Sequence, residues 1–521
     1  MVDIEARHPY LVFYVLSAYV REDGHEAVTG GQSEYTAGGH DGFGGLCYFA
    51  ITTLELLEEI SEARMGHIKL ITEIPGPKSR EGLANHERYV ARGLALGFPA
   101  FIQETRGALL TDVDGNRFID LAGGVGVLNV GHSDPGIIEA AKEQFERFVH
   151  TDYTVAPYAI YAELARRLAG LVPGAEKAAF FNAGAEAVEN SIKMARAYTG
   201  RKAVISFEGG FHGRTWMALA LTSKTTPYKQ GLLPLAGEVY RVPYAYPYRP
   251  PVEPGDGQSF GEACAGLLDT LFTRQVAAED VAALIVEPVL GEGGFVVPPD
   301  DYLPALKRRC EEHGIVFIAD EVQSGFGRTG EMFAVEHSGV KPDLVILAKS
   351  LAAGMPLSAV VGRAEVMDAP AEGALGGTYP GNPVALASAM AVLDAFEDGQ
   401  LLRRSREIGE RIQARFSSLA EQIDLIGDVR GLGAMVAVEF VRDRKTKEPA
   451  RGEVGEVLKL AAERGVLALS AGVDANCIRF LSPLVITDEQ LEEALDLLEG
   501  CIREVAATRE TTSPGALANP T

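Results

Sequence analysis

Apolar residues in this chain fall into short continuous runs separated by longer stretches of mixed character. The runs are Ala178-Ala179-Phe180-Phe181, Ala203-Val204-Ile205-Ser206, Ala283-Leu284-Ile285-Val286, Val316-Phe317-Ile318-Ala319, Leu344-Val345-Ile346-Leu347 and Ala359-Val360-Val361. A strand with one wet face alternates, whereas a strand buried on both faces reads as an unbroken apolar run. Most of the intervening stretches suit helices, as do Pro135–Phe148 and Tyr158–Leu171, whose apolar positions recur at helical spacing. The pattern predicts an α/β fold, a largely parallel sheet with helices on both faces. Upstream, Leu109–Val113 and Arg117–Asp120 bracket Asp114-Gly115, a hairpin signal. From about Ala391 the pattern changes to long amphipathic helices, with Ala434–Glu439 as a strand. That part reads as a smaller α+β domain, joined by the N-terminal hairpin region.

The ends differ from the middle. Asp23–Gly45 is rich in Gly, Ser, Thr and His without apolar periodicity, which predicts loop or disorder. Residues 1–64 are therefore expected to be a dispensable extension, with Met65 the functional start. The expected division is 65–130 for the N-terminal part of the small domain, 131–394 for the large domain and 395–506 for the C-terminal small domain. A polar tail is expected over 507–521.

Charge narrows the partners. The formal net charge of −24 opposes nucleic acid and anionic membranes, both of which need a basic face. An anionic substrate would need arginines placed locally against that field. The five cysteines contain no C-x-x-C pair, which argues against a disulfide framework or a metal site. No apolar run is long enough to span a bilayer. Tyr10–Val20 has only the length of a signal core, and Asp3 and Glu5 precede it where positive charge belongs. The cytoplasm is the expected location.

Candidate chemistry clusters at the ends of the apolar runs, where open α/β sheets place their ligands. Asp343–Leu347 leads into Ala348-Lys349-Ser350. Burial lowers a lysine's pKa and makes its amine a usable nucleophile. Taken alone, this lysine reads more readily as one that extends to solvent. Val316–Ala319 ends on Asp320-Glu321-Val322-Gln323. Alternation puts Asp320 on the face of Ile318 and Val322 and turns Glu321 away. A buried Asp needs a cationic partner, although a strand-end cap would read the same. Phe181-Asn182-Ala183-Gly184-Ala185-Glu186 passes from strand through small residues into a helix, and free N–H groups at such a start bind phosphate. Gly209-Gly210-Phe211-His212-Gly213-Arg214 sets an aromatic and a histidine among glycines, able to stack on a flat ring. Gly325-Phe326-Gly327-Arg328-Thr329-Gly330 has the letters of a dinucleotide loop, but the stretch before Gly339 and Pro342 is short for the crossover helix such a loop requires.

Together these segments resemble the class III (omega) aminotransferases, pyridoxal-phosphate enzymes of fold type I. The resemblance runs from about Ile68 to Val505. It also takes in Glu287-Pro288-Val289-Leu290-Gly291-Glu292, Gly376-Gly377-Thr378-Tyr379 and Ile478-Arg479-Phe480, all in the family's order. It implies a large domain with a mostly parallel seven-stranded sheet, bound pyridoxal 5'-phosphate and no metal. It implies that Lys349 bonds the cofactor aldehyde and then carries protons, and that Asp320 pairs with the pyridine nitrogen. Gln323 would touch the ring's phenolic oxygen, and Phe211 and Val322 would enclose the ring, with His212 and Glu287 beside it. Gly184 and Ala185 would hold the phosphate by backbone N–H groups, and Thr378 would reach it from a second subunit. The active unit would then be a homodimer or a dimer of dimers. Val125 would line the substrate entrance. Arg214 would bind the distal carboxylate, and Arg479 an α-carboxylate, with Glu292 as the partner of Arg479 otherwise.

The implied reaction moves the amino group of 4-aminobutyrate to 2-oxoglutarate. Family members acting on 5-aminovalerate or ornithine, and racemases or epimerases, are the alternatives. Many relatives carry a hydroxyl residue in place of Ala185, and many that act on 4-aminobutyrate carry Gln in place of Leu290.

Overall fold

A computed structural model describes residues 66–512. The extension 1–64, the start at Met65 and the Tyr10–Val20 run lie outside the described residues. The expected hairpin is present as β2 (Leu109–Asp112) and β3 (Arg117–Asp120), and a further strand not foreseen from the sequence, β1 (Ile102–Arg106), pairs antiparallel with β2. Asp112 closes the β2–β3 turn, its Oδ1 accepting from Asp114 N at 2.9 Å and Asn116 N at 2.8 Å.

The central sheet comprises β4 (Lys177–Phe181), β5 (Ala203–Phe207), β6 (Val239–Val242), β7 (Val281–Val286), β8 (Val316–Asp320), β9 (Leu344–Leu347) and β10 (Ser358–Gly362). Its order is β4-β10-β9-β8-β7-β5-β6, and only β10 runs against its neighbours. Leu284, Phe317 and Val345 pack into one hydrophobic cluster, whereas the alternate residues Ile285, Ile318 and Ile346 pack into another. Both faces are thus covered, and each such side chain contributes roughly 1.5–3 kcal/mol by its burial. The strand β6 was not among the apolar runs. It lies at the sheet edge with Tyr240 and Arg241 only partly buried, so no unbroken apolar run was needed.

The C-terminal part contains β11 (Ile426–Leu432), β12 (Met435–Phe440), β13 (Val466–Leu467), β14 (Leu469–Ala471) and β15 (Cys477–Phe480). An antiparallel sheet runs β11-β12-β15-β14, while β13 adds in parallel to β3 and so joins this part to the N-terminal hairpin. Long helices Gln400–Ala420, Arg451–Glu463 and Asp488–Thr512 accompany it. The last continues beyond Ala507, where a tail was expected. Its Arg509 is anchored there, donating to Arg442 O at 2.7 Å. The cysteines of the described residues, Cys264, Cys310, Cys477 and Cys501, are buried and unpaired.

The Gly325–Gly330 segment is structural. Gly327 has φ 79°, and a Cβ there would stand 2.5 Å from the Phe396 ring, so glycine is required. Arg328 is fully buried. Its Nε donates to Asn129 Oδ1 at 3.1 Å and its Nη1 to Ser482 O at 2.8 Å and Ala434 O at 3.4 Å. These acceptors are neutral. Burial pulls the guanidinium down to about 9, against the opposing pull of Asp120. Arg328→Ala leaves several buried acceptors without donors, each costing about 1–3 kcal/mol, offset in part by removing a buried charge. A net loss of about 3 kcal/mol is expected, read as a lower urea midpoint of the holoenzyme. An unchanged midpoint would show that the guanidinium contributes nothing to stability.

Candidate active site

Parallel strands β5, β7, β8 and β9 bring their carboxyl ends to one edge of the sheet, and a cavity of about 340 Å³ opens there. Lys349 follows β9 directly and lines the cavity. Its backbone sits at φ 44°, a left-handed conformation that costs a non-glycine residue roughly 1–2 kcal/mol. Strain of this kind persists where the surroundings fix it. Here Ser350 is pinned by its Oγ donating to Gly126 O at 3.0 Å. Burial lowers the pKa of the Lys349 amine, with Glu292 and Asp320 the nearest opposing influences.

Asp320 ends β8 and faces the same cavity. Its Oδ2 lies 2.7 Å from His212 Nδ1, and its Oδ1 accepts from Val322 N at 3.1 Å. Both side chains of the Asp320–His212 pair are almost wholly buried. Glu321 turns the other way, as alternation requires, and binds Ser324 Oγ and Val335 N. Burial pushes Glu321 up to about 7, and the cavity does not include it.

The loop after β5 is held in place by Glu287 from the end of β7. One carboxylate oxygen accepts from Phe211 N at 2.7 Å, the other from Gly291 N at 2.8 Å. Burial pushes the Glu287 carboxyl up; His212 works against that and Asp320 adds to it. Phe211, His212 and Glu287 all line the cavity. So do Gly184 and Ala185, at the start of the helix Gly184–Thr199, where the first N–H groups have no partner within the helix. Gly213 has φ 119°, and a Cβ there would stand 2.7 Å from Ala185 Cβ. Only glycine allows that loop to approach the helix start so closely.

Val322 and Gln323 complete this wall. Neither amide atom of Gln323 has a protein partner, although both are buried. Glu292 also lines the cavity and is bonded to Arg479 Nη1, from β15. Burial raises the Glu292 pKa, but Arg479, Lys349 and Lys224 outweigh it and hold the carboxylate below its ordinary value. Arg479 Nε is buried without a partner.

Four expected residues do not line the cavity; Arg479 is one, reaching it only through its bond to Glu292. Arg214 is exposed, its guanidinium 4.7 Å from the centre of the Tyr228 ring. Val125 sits at φ 66° in the Gly123–Gly126 turn, and Val127 lines the cavity instead. Thr378 is exposed on the surface. Leu290 is buried and borders a separate cavity of about 220 Å³, so its departure from the family pattern does not reach the first one. The reading of the sequence missed Met355, Pro356 and Leu357, which also line the site. An apolar run after the lysine carried no signal for them. Among the described residues, no helix is long and apolar enough to cross a membrane, and no cluster of His, Cys, Asp and Glu is arranged for a metal ion.

A family model described as Aminotransferase class-III matches residues 90–502. The chain is similar to the probable 4-aminobutyrate aminotransferase of Bacillus subtilis, with 48% identity over 419 residues, covering 80% of this chain and 96% of the relative. It is 43% identical to a 5-aminovalerate aminotransferase of Pseudomonas putida, again covering 80% of this chain and 96% of the relative. Among solved structures it is similar to an amine transaminase from an uncultivated Pseudomonas species in the PLP-bound form. That match has a TM-score of 0.71 at 31% identity and covers 78% of this chain and 95% of the other.

Proposed function

Because the chain belongs to the class III aminotransferases, we propose that it uses pyridoxal 5'-phosphate to move the amino group of 4-aminobutyrate to 2-oxoglutarate, giving succinate semialdehyde and glutamate. The observation that carries the reading is one cavity holding Lys349, Asp320 and Gln323 at neighbouring strand ends, with Glu292 at its wall and Arg479 bonded to Glu292 from behind.

The residues fit the cofactor. Gln323 offers a buried amide with no other partner, suited to a ring hydroxyl. The helix start at Gly184 and Ala185 offers N–H groups to a phosphate. Ala185 brings no hydroxyl, so the backbone must suffice there. When bound, the cofactor supplies an aldehyde for the lysine and a protonated ring that draws electrons from the substrate carbon.

The chain supplies the rest. Asp320, a buried carboxylate braced by His212, would hold the proton on the ring nitrogen. Phe211 and Val322 would fix the ring plane, with Glu287 holding the Phe211 backbone in place. Lys349 Nζ would take the proton from the amine-bearing carbon and return it to the cofactor side. Arg214 would bind the carboxylate distal to the amine and Arg479 the carboxylate beside it. Val125 would border the entrance. The surface position of Thr378 suits a phosphate contact in a second copy of the chain, so the active unit would be a homodimer or a dimer of dimers.

The similarity to a 5-aminovalerate enzyme favours a second reading in which the preferred amine is one carbon longer. A panel of 4-aminobutyrate, 5-aminovalerate and ornithine with 2-oxoglutarate separates these by the glutamate formed. The highest kcat/KM is expected with 4-aminobutyrate. A preference for another donor would move the assignment within the family. Amino-acid turnover that consumes no keto acid would point to a racemase instead.

A further inference from the structure

Three cations act on Glu292, and one of them has no part in the reaction described above. Arg479 and Lys349 are accounted for; Lys224 is not. Lys224 is half-buried just past the helix Trp216–Leu221 that follows the Gly209–Gly213 loop. Its Nζ donates to Gly472 O at 3.3 Å, and Gly472 N donates to Glu292 O at 3.0 Å. The lysine thus stands on the turn that braces the Glu292 backbone. Burial lowers its pKa, and Glu292 is the largest influence opposing that.

We propose that Lys224 is a second berth for Glu292, a positioning residue that takes its carboxylate when Arg479 is claimed by the substrate carboxylate beside the reacting carbon. The inference deepens the proposed function and rests on it. Arg479 is fixed on β15 and is itself nearly buried, so it stays where it is when its partner changes. A dicarboxylate substrate displaces Glu292 from it. Left alone in a desolvated site, that carboxylate would oppose binding. A lysine ammonium is a point charge on a flexible stem and can follow the carboxylate. Its present bond is long and to a neutral acceptor, so little is lost in leaving it. A monocarboxylate such as 4-aminobutyrate leaves Glu292 on Arg479 and makes no demand on Lys224. Lys224 therefore distinguishes dicarboxylates from monocarboxylates.

The test uses holoenzyme and two unreactive ligands, glutarate as dicarboxylate and butyrate as monocarboxylate, with affinities from calorimetry. Lys224→Gln keeps a donor for Gly472 O but removes the charge; Lys224→Arg keeps the charge. Lys224→Gln is expected to weaken glutarate about tenfold and butyrate less than about twofold, in the range of ordinary coupling between sites. Lys224→Arg should bring glutarate back to within about threefold of the wild type. Equal losses for both ligands, no loss for glutarate, or no glutarate binding by the wild type would overturn the proposal. If Lys224 only braces the turn, Lys224→Gln behaves as wild type. Wild-type turnover of 4-aminobutyrate with 2-oxoglutarate is measured separately. Its absence would overturn the functional reading while the ligand affinities still decide the role of Lys224.

Discussion

Lys349→Ala is expected to abolish multiple-turnover amino transfer while leaving a folded protein. The lysine is placed by β9 at the cavity wall, and burial lowers the pKa of its amine. More of it is neutral near neutral pH than of an exposed lysine, which is the form that attacks a carbonyl and accepts a proton. Alanine removes both the attachment point and the proton carrier. A general base alone contributes up to about 10⁴-fold, so glutamate formation should fall by at least about that factor. Folding should survive, because the substitution takes a charge out of a desolvated place and leaves the β9 pairing intact. Far-UV circular dichroism should match the wild type, and the visible absorbance of the lysine-bound cofactor should be gone. Purified variant that kept turning over 4-aminobutyrate would remove the foundation of the proposed function.

Arg479→Ala and Glu292→Ala are expected to damage opposite halves of the reaction. 4-Aminobutyrate carries one carboxylate, distal to its amine. Glutamate and 2-oxoglutarate carry a second, beside the reacting carbon, and Arg479 is the cation proposed to hold it. Removing one member of a buried charge pair costs roughly 2–5 kcal/mol. Arg479→Ala should therefore slow the 2-oxoglutarate half-reaction by that amount, a factor of about 30 to several thousand. Glu292→Ala leaves Arg479 unpaired whenever 4-aminobutyrate is bound, so it should chiefly damage that half. Arg479 Nε already lacks a protein partner, which makes the loss of Glu292 more costly. Removing Arg479 also removes the largest influence holding the Glu292 pKa down, so burial should then raise it. Single-turnover spectra of the two cofactor forms follow each half separately. Equal effects on both halves would sink the exchange of partners at Arg479 without touching the family assignment.

What could be read from the chain depended on how each residue is buried. Strands β5, β7, β8 and β9 announced themselves because both faces are covered, so their sequences contain hardly a polar residue. The edge strand β6 and the short strands β13 and β14 did not, since partial exposure lets Tyr240, Arg241 and Ser470 interrupt the pattern. Lys349 and Asp320 were legible as charges at the ends of apolar runs. The bond between Asp320 and His212 was not, because 108 residues separate them and only the sheet order brings them together. Glu287 was legible as part of a segment but not as the bracket that holds Phe211. Lys224 gave no signal, being a lysine in a polar stretch whose meaning comes from Gly472 far along the chain. Arg328 was hidden inside a glycine pattern that suggested a different chemistry.

Arg328 also has a consequence for how long the folded enzyme lasts. Its guanidinium ties together positions 199 and 154 residues apart along the chain. Contacts across such distances form only after large loops have closed, late on the way to the native state. Interactions absent from the folding transition state do little for the rate of folding and slow the rate of unfolding. The buried cation at the junction of these segments is therefore expected to act as a latch: Arg328→Ala should speed unfolding more than it slows folding, and equal changes in the two rates would overturn that.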